Sequence, residues 1–396
     1  MRVRENLRIA RREEKMIFVV APDSFKGSLT SKNFCDTAES ALLERFPGLT
    51  VYKVPMADGG EGTVEALILA TGGKKQSCWV TGPLFDKTMA AYGIMGDGKT
   101  AVIEMSSAAG LPLIPAWKRD PFTSTTYGVG ELIEDALEKG CTQFIMGIGG
   151  SATNDGGAGM VEALGAQLLD KDGVPIPSGA AGLLKLHSID LSTMNPKVRQ
   201  AKFQVACDVS NPLCGPHGAA YVFGPQKGAK PKDLPLLDEA LRRFSQVVKQ
   251  DLGKDILDTP GSGAAGGMGA GLMAFFDAQL VPGFQIVNEG VGFEALLQKL
   301  RPDVVITGEG RIDAQSVMGK LPVEVAKVAK KYGARVVAVV GCKGQGYEKA
   351  MEAGVDAVYE LKEKDMTLEY SMMNAAELLH NKLQKINFLP AQEKRD

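Results

Sequence analysis

The chain has 396 residues, of which 44% are hydrophobic and 23% charged, a composition typical of globular proteins. A formal net charge of −2, without basic and aromatic clusters, argues against nucleic acid as a partner. No apolar run approaches the roughly 18 residues that a membrane span needs. Six cysteines without CxxC spacing and only three histidines argue against a zinc site or a disulfide framework. We therefore expect a cytoplasmic protein with reduced cysteines.

Strand and helix patterns alternate after a polar, basic segment at residues 2–15, which lacks the apolar core of a secretory signal. We expect residues 1–15 to be a dispensable extension, and a short amphipathic helix is the alternative. The first half of the alternating pattern predicts a strand at 17–21, a helix over 30–46, a strand at 51–55 and a helix over 62–70. Short alternating runs with turn signals then predict antiparallel strands between 78 and 105.

The parallel pattern returns near the end of the chain. It predicts strands at 304–307, 335–340 and 357–360, with helices over 322–332, 347–353 and 366–386. The fold class predicted is α/β: a doubly wound parallel sheet of order 2-1-3-4-5, formed by residues 16–75 and 284–396. Residues 76–283 are predicted to form an inserted domain of mixed α/β structure.

Three loops in the first of these domains share an unusual composition. Each follows a predicted strand and carries glycine, an acid and a hydroxyl or basic group, at 22–28, 57–63 and 308–313. In the order 2-1-3-4-5, strands one and three are neighbours at the switch point, where ligands bind beyond the carboxyl ends of the strands. The loops therefore predict a binding site at this sheet edge.

A fourth loop, 149–159, lies in the inserted domain between a predicted strand at 143–148 and a predicted helix at 160–169. A glycine loop between strand and helix aims backbone N–H groups at an anion. Asp155 is a candidate to bind magnesium or to accept a proton, and the alternative for the whole loop is a tight, well-packed turn. Its candidate phosphate ligands are Gly149, Gly150, Ser151, Thr153 and Gly156.

Four further features of the inserted domain each have more than one interpretation. Asp208 follows a predicted strand and is a candidate base or metal ligand, or the cap of the following turn. Lys227 is a candidate phosphate ligand or a solvated loop lysine. Residues 261–266 match GxGxxG, but they follow a helix rather than a strand, which argues against a dinucleotide fingerprint. Cys207 has no evident histidine partner, which favours a buried strand cysteine over a nucleophile.

Six motifs in order resemble the type I glycerate kinases, and the resemblance covers nearly the whole chain from residue 16 to 383. They are APDSFKGS at 21–28, MADGGEGT at 56–63, GGSATNDGG at 149–157, CDVSNPL at 207–213, GAAGGMG at 263–269 and TGEGRID at 307–313. The resemblance implies ATP-dependent phosphorylation of D-glycerate, with 2-phosphoglycerate as the expected product. It also implies a flavodoxin-like domain carrying an inserted domain, and a link to glyoxylate metabolism.

Residue roles follow from the chemistry of phosphoryl transfer, in which positioning and charge stabilisation dominate. Magnesium (Mg2+) is expected to bridge the ATP phosphates, held by Asp155 or, as second choice, Asp58. The expected general base is Asp208, with Asp23 as its rival. The candidates for charge stabilisation are Lys26 and Lys227. The candidates for binding glycerate are Arg311, which suits a carboxylate, with Ser24, Glu309 and Asp313.

The active site is expected in a cleft between the two domains. Two other functions remain open: a kinase for another small hydroxy acid or polyol, and a non-catalytic regulator that binds glycerate or nucleotide. The absence of a strand–GxGxxG–helix unit argues against a nicotinamide-dependent oxidoreductase.

Overall fold

The structure is a computed structural model that describes residues 16–317 and 319–388. The predicted extension at 1–15 lies outside these residues. The chain divides into two compact units. Unit 1 combines the residues up to Asp58 with those from Phe284 onward, and unit 2 runs from Gly59 to Gly283.

The strands of the described residues are numbered in chain order. They are β1 (Ile17–Val20), β2 (Thr50–Lys53), β3 (Lys74–Thr81), β4 (Lys87–Ile94), β5 (Thr100–Glu104), β6 (Gln143–Gly147), β7 (Gln167–Leu169), β8 (Ser188–Asp190), β9 (Lys202–Ala206), β10 (Gln279–Val281), β11 (Val304–Thr307), β12 (Arg311–Ile312), β13 (Arg335–Val340), β14 (Cys342–Lys343) and β15 (Ala357–Glu360).

The helices are numbered in the same way. They are α1 (Ser31–Arg45), α2 (Thr63–Thr71), α3 (Ser106–Ala109), α4 (Tyr127–Glu138), α5 (Ala158–Ala163), α6 (Ala180–Leu183), α7 (Pro196–Gln200), α8 (Ala219–Phe223), α9 (Leu234–Leu252), α10 (Ala264–Phe276), α11 (Gly283–Val291), α12 (Phe293–Leu300), α13 (Leu321–Lys331), α14 (Glu348–Glu352), α15 (Leu368–Met373) and α16 (Ala375–Leu383).

Unit 1 is built on a five-stranded parallel sheet in the order β2-β1-β11-β13-β15. Counted within the unit, this is the predicted order 2-1-3-4-5, so the α/β fold class is confirmed. Val19 of β1 pairs with Val305 on one side and Tyr52 on the other. Successive side chains alternate between two apolar clusters, with Val19 in one and Phe18 and Val20 in the other. Both faces of the sheet are therefore covered, as the continuous apolar runs require.

The division between the units differs from the predicted boundary at residue 75. Helix α2, predicted to belong to the first domain, packs in unit 2. The Glu104 carboxylate at the end of β5 accepts the N–H groups of Gly62 and Val64 at 3.1 and 3.0 Å, which caps the helix start. A Cβ on Gly93 of β4 would lie 2.5 Å from the Ile68 side chain, so helix and sheet are in close contact. The boundary therefore falls after Asp58.

Unit 2 contains a six-stranded mixed sheet in the order β10-β9-β6-β5-β4-β3. Strands β3, β4 and β5 pair antiparallel, as predicted for residues 78–105, and the rest pair parallel. Phe144 and Phe276 stack on either side of Phe203, with ring centroids 4.7 and 4.6 Å from its own. The helix predicted over 160–169 ends earlier, because Gly165 has a left-handed φ of +93° and β7 follows.

Within the described residues, we find no helix with both the length and the apolar character needed to cross a membrane.

Candidate active site

A cavity of about 430 Å³ opens at the carboxyl edge of the unit 1 sheet. Its lining comes from the residues that follow β1, β11, β13 and β15, together with Asp58 after β2, Lys320 before α13, residues of α15 and the first residue of α16. Six predicted site residues lie together in this lining. They are Asp23, Ser24, Lys26, Asp58, Glu309 and Arg311.

The loop after β1 is held in place by backbone hydrogen bonds. The N–H of Asp23 donates to the carbonyl of Gly308 at 2.8 Å, which ties this loop to the end of the neighbouring strand β11. The Asp23 carboxylate accepts the N–H of Ser24 at 2.7 Å. The Ser24 hydroxyl is buried and has no hydrogen-bond partner among the described residues, so it is available to a ligand in the cavity.

Acidic and basic side chains after β11 form a connected set. Arg311 lies with its Nε 3.2 Å from a carboxylate oxygen of Asp313, and its side chain is 64% exposed. The Nζ of Lys320 lies 3.8 Å from Glu309 and 3.7 Å from Asp313, between the two carboxylates. Lys320 also lines the cavity, and no sequence motif pointed to it. The sequence signal that could have identified Lys320 is its position, directly before α13 in the segment that follows the GEGRID motif.

Burial perturbs two of the cavity's carboxyl groups. It raises the pKa of Asp23 well above its usual range, and the negative charges of Asp58 and Glu309 raise it further, while the hydrogen bond from the Ser24 N–H and, to a smaller extent, the charge of Lys26 oppose the shift. Burial likewise raises the pKa of Glu309 to about 7, while Lys320 and the Ser316 hydroxyl act in the opposite direction. Carboxyl groups that titrate closer to neutral pH are suited to general acid–base chemistry.

The glycine loop of unit 2 is turned inward. Gly149 and Gly150 are exposed, but Ser151, Thr153 and Asp155 are buried. One oxygen of the Asp155 carboxylate accepts from the N–H and hydroxyl of Thr126 at 2.9 and 2.8 Å and from a backbone N–H of α5. The other oxygen accepts the N–H of Gly157. Asp155 thus caps the short helix α5, and its surroundings do not fit the magnesium role that was its first predicted role.

Asparagine at position 155 should destabilise the protein. The change Asp155→Asn turns an amide nitrogen toward N–H donors and removes charge-assisted hydrogen bonds, so we expect a loss of about 3 kcal/mol in the free energy of unfolding. Urea denaturation measures this loss. The matched control is Asp190→Asn, where an exposed carboxylate caps its own turn, and it should change stability far less. If Asp155→Asn kept its stability but lost metal-dependent activity, the result would instead support Asp155 as a magnesium ligand.

Lys227 holds the same loop from inside. Its ammonium donates to the Ser151 hydroxyl at 2.8 Å and to the Thr153 carbonyl at 2.6 Å, and the residue is 1% exposed. Burial lowers the pKa of Lys227 to about 7, although the Asp155 carboxylate opposes this shift. Gly156 is equally enclosed, since a Cβ there would lie 3.0 Å from the Phe244 ring. The predicted phosphate ligands of this loop that remain accessible are Gly149 and Gly150.

The lowered pKa of Lys227 predicts that its contribution to the stability of the protein depends on pH. Between pH 7 and 10.5 the unfolded chain binds this proton more strongly than the folded protein does, so the contribution of Lys227 to stability rises with pH. We expect the unfolding free energy of wild type to rise relative to that of Lys227→Met by up to about 1.4 kcal/mol per pH unit from pH 7 to 9. Urea denaturation at several pH values tests this. A difference that is constant from pH 6 to 9 would contradict the shift.

Two other predicted features of unit 2 have structural roles here. Asp208 is exposed, and its carboxylate accepts the N–H of Gly283 at the start of α11 at 2.9 Å. The GxGxxG match at 261–266 overlaps the start of α10, where Ala265, Gly266 and Gly267 all have left-handed φ. The preceding element in the chain is helix α9 and not a strand, so the match is not part of a strand–loop–helix unit. Cys207 is partly buried, and all six cysteines are free.

A model of the glycerate kinase family matches residues 18–389. The chain belongs to the glycerate kinase family. It is 48% identical over 368 residues to a glycerate kinase of Halalkalibacterium halodurans, covering 93% of this chain and 96% of that protein. It is 49% identical over 360 residues to the glycerate 2-kinase of Escherichia coli, covering 91% and 94%.

A solved structure agrees with these glycerate kinase relatives. It is of a protein assigned as glycerate kinase 2 of Salmonella typhimurium LT2, with a TM-score of 0.84 and 46% sequence identity. The match covers 93% of this chain and 96% of that one. The resemblance inferred from the six motifs is therefore confirmed at the level of the family and the fold.

Proposed function

We propose that the protein transfers the γ-phosphoryl group of ATP to the 2-hydroxyl of D-glycerate. The observation that carries the proposal is the unit 1 cavity, where an exposed arginine and a lysine lie beside carboxyl groups with raised pKa values. The family supports glycerate as the acceptor, and the relative named glycerate 2-kinase supports the position of the phosphate.

The residues of the cavity have complementary roles in this proposal. Arg311, oriented by Asp313, binds the glycerate carboxylate through a charge-assisted pair. Ser24 donates its unused hydroxyl to the substrate. Asp23 accepts the proton of the attacking hydroxyl, because it is a buried carboxyl whose raised pKa favours taking up a proton. Lys26 offsets the charge of the transferred group.

Within the described residues, no three acidic, histidine or cysteine side chains form a ready-made metal site. Magnesium nonetheless fits the donor set of the cavity, because it binds proteins through one or two carboxylates and completes its coordination with phosphate oxygens and water. Asp58, with Glu309 near it, is the residue that would hold the ion. Bound magnesium would neutralise charge on the ATP phosphates.

The proposal also keeps two expectations for unit 2. The exposed backbone of Gly149 and Gly150 contacts the phosphates, and Asp208 remains the second candidate base. A cytoplasmic location and a role in glyoxylate metabolism are proposed with it; six free cysteines are consistent with the former.

The test is to incubate the protein with ATP, magnesium and D-glycerate and to identify the product by 31P and 13C NMR. We expect 2-phosphoglycerate, formed with one ADP per product. A 3-phospho product would correct the position, and ATP hydrolysis without glycerate would overturn the proposal. Higher kcat/KM with another hydroxy acid or a polyol would identify a different acceptor. Binding of glycerate or ATP without turnover would favour a regulator.

A further inference from the structure

We propose that the nucleoside of ATP binds in unit 1, on an apolar wall of the same cavity. The wall is defined by Phe25, Leu361, Leu368, Met372 and Ala375. This inference rests on the proposed function, since it assumes ATP as the phosphoryl donor. It places the nucleoside within the cavity that also contains the proposed glycerate site, and not on the glycine loop of unit 2.

The size of the cavity is the first argument. Glycerate is a three-carbon acid, whereas about 430 Å³ falls within the range of roughly 300–1,000 Å³ that is typical of pockets for drug-sized ligands. The lining runs along the ends of four adjacent strands, β1, β11, β13 and β15. With strands about 4.8 Å apart, this span is about 14 Å, enough for an extended second ligand beside glycerate.

The chemistry of the lining changes along this span. The charged side chains follow β2, β1 and β11, where the cations are Lys26 and Arg311, with Lys320 further along the chain. The residues that follow β13 and β15 in the lining are uncharged: Gly341, Cys342 and Leu361. A ligand with phosphates at one end and an apolar aromatic base at the other matches this arrangement.

Helix α15 completes the apolar wall. Leu368, its first residue, is 60% exposed although it lines the cavity, so a large apolar side chain is left for a ligand to cover. The helix is tied to the charged loop after β1, because the Ser28 hydroxyl donates to the Met372 carbonyl at 2.9 Å. The wall and the charged loop are therefore held in a defined relation to each other.

The glycine loop offers no comparable surface. The Ser151 hydroxyl accepts from Lys227 and Asp155 caps α5, while the Thr153 hydroxyl and the Asn154 amide are buried without a hydrogen-bond partner among the described residues; these are polar groups and not an apolar surface. The exposed part of the loop is Gly149 and Gly150, which have no side chains to contact a base. This loop is suited at most to contacting phosphates.

Leu368→Ala tests the inference in the full-length protein. Isothermal titration calorimetry measures Kd for ATP and for AMP, and steady-state kinetics measures KM for glycerate. Loss of one apolar contact should raise both Kd values about fivefold to tenfold and leave the glycerate KM within about twofold. Leu368→Glu, which adds a carboxylate to the same wall, should weaken ATP binding more. The control is Met373→Ala, on the same helix, 80% exposed and outside the lining, which should bind as wild type does.

The outcomes separate this inference from the proposed function. Wild type that phosphorylates glycerate, with unchanged ATP and AMP affinity in both Leu368 variants, would overturn the nucleoside site and leave the function intact. A raised glycerate KM with unchanged nucleotide Kd would assign the wall to the acceptor and also overturn it. Weakened ATP and AMP binding in the Leu368 variants supports the site, even if wild type does not phosphorylate glycerate. In that last case, the proposed function alone would fail.

Discussion

Asp23→Asn is expected to lower kcat at least about 100-fold, with a small effect on KM for glycerate. The asparagine keeps the shape of the side chain and removes the group that accepts the proton of the attacking hydroxyl, a contribution typically worth 10²–10⁴ in rate. Steady-state kinetics at saturating ATP and glycerate measures the change. The rival is Asp208→Asn, which should retain near wild-type kcat, because in the structure Asp208 binds the N–H of Gly283.

Stability distinguishes a catalytic loss from a folding defect. A buried carboxyl with a raised folded-state pKa binds its proton more tightly in the folded protein, so its contribution to stability falls as pH rises from the unfolded pKa through the folded one. Asparagine carries no charge, so the Asp23→Asn variant does not lose stability in this way as pH rises. We therefore expect Asp23→Asn to be at least as stable as wild type at pH 8, measured by urea denaturation. An inactive Asp208→Asn with an active Asp23→Asn would reverse the assignment of the base.

The sheet of unit 1 could be predicted because its strands are continuous apolar runs separated by helices with clear apolar stripes. The position of α2 could not be predicted in the same way. A short helix with an apolar face does not reveal which sheet covers it, and here the capping carboxylate of Glu104 lies about forty residues further along the chain. The local apolar pattern was enough to predict helix α2, but the unit to which the helix belongs depends on a contact with a residue distant in sequence.

The candidate site shows a similar limit. Glycine, acid and hydroxyl residues at strand ends identified the cavity, because in a parallel sheet all carboxyl ends lie at one edge. The same residue types in the loop 149–157 looked equally suited to a ligand, but there Ser151 accepts from Lys227, Asp155 caps α5, and the unpartnered side chains of Thr153 and Asn154 are buried. Sequence does not show whether a side chain faces inward or outward, and this orientation separates Asp23 in the cavity from Asp155 under α5. Lys320 was missed because it reaches the cavity from the segment before α13.

The close packing of the glycine loop against the start of α10 predicts that a side chain at Gly266 will destabilise the protein. Gly266 has φ +70°, and a Cβ there would lie 2.0 Å from the Thr153 carbonyl oxygen and 2.8 Å from the Asn154 Cα. Both atoms belong to the backbone, so no side-chain rotation relieves the contact. The N–H of Gly156 also donates to the Gly266 carbonyl at 3.0 Å, which joins the two segments.

Gly266→Ala should therefore reduce the free energy of unfolding by about 3 to 5 kcal/mol, the sum of backbone strain and overpacking. The matched control is Gly253→Ala, at φ +71° with open space around its Cβ, which should lose only about 1 kcal/mol through strain. Urea denaturation of both variants isolates the steric part, since the dihedral strain is shared. Equal losses in the two variants would show that the loop 149–157 shifts to make room. A loss at least about 2 kcal/mol larger in Gly266→Ala than in Gly253→Ala would establish that the GAAGGMG segment serves to hold that loop, whatever ligand its exposed glycines contact.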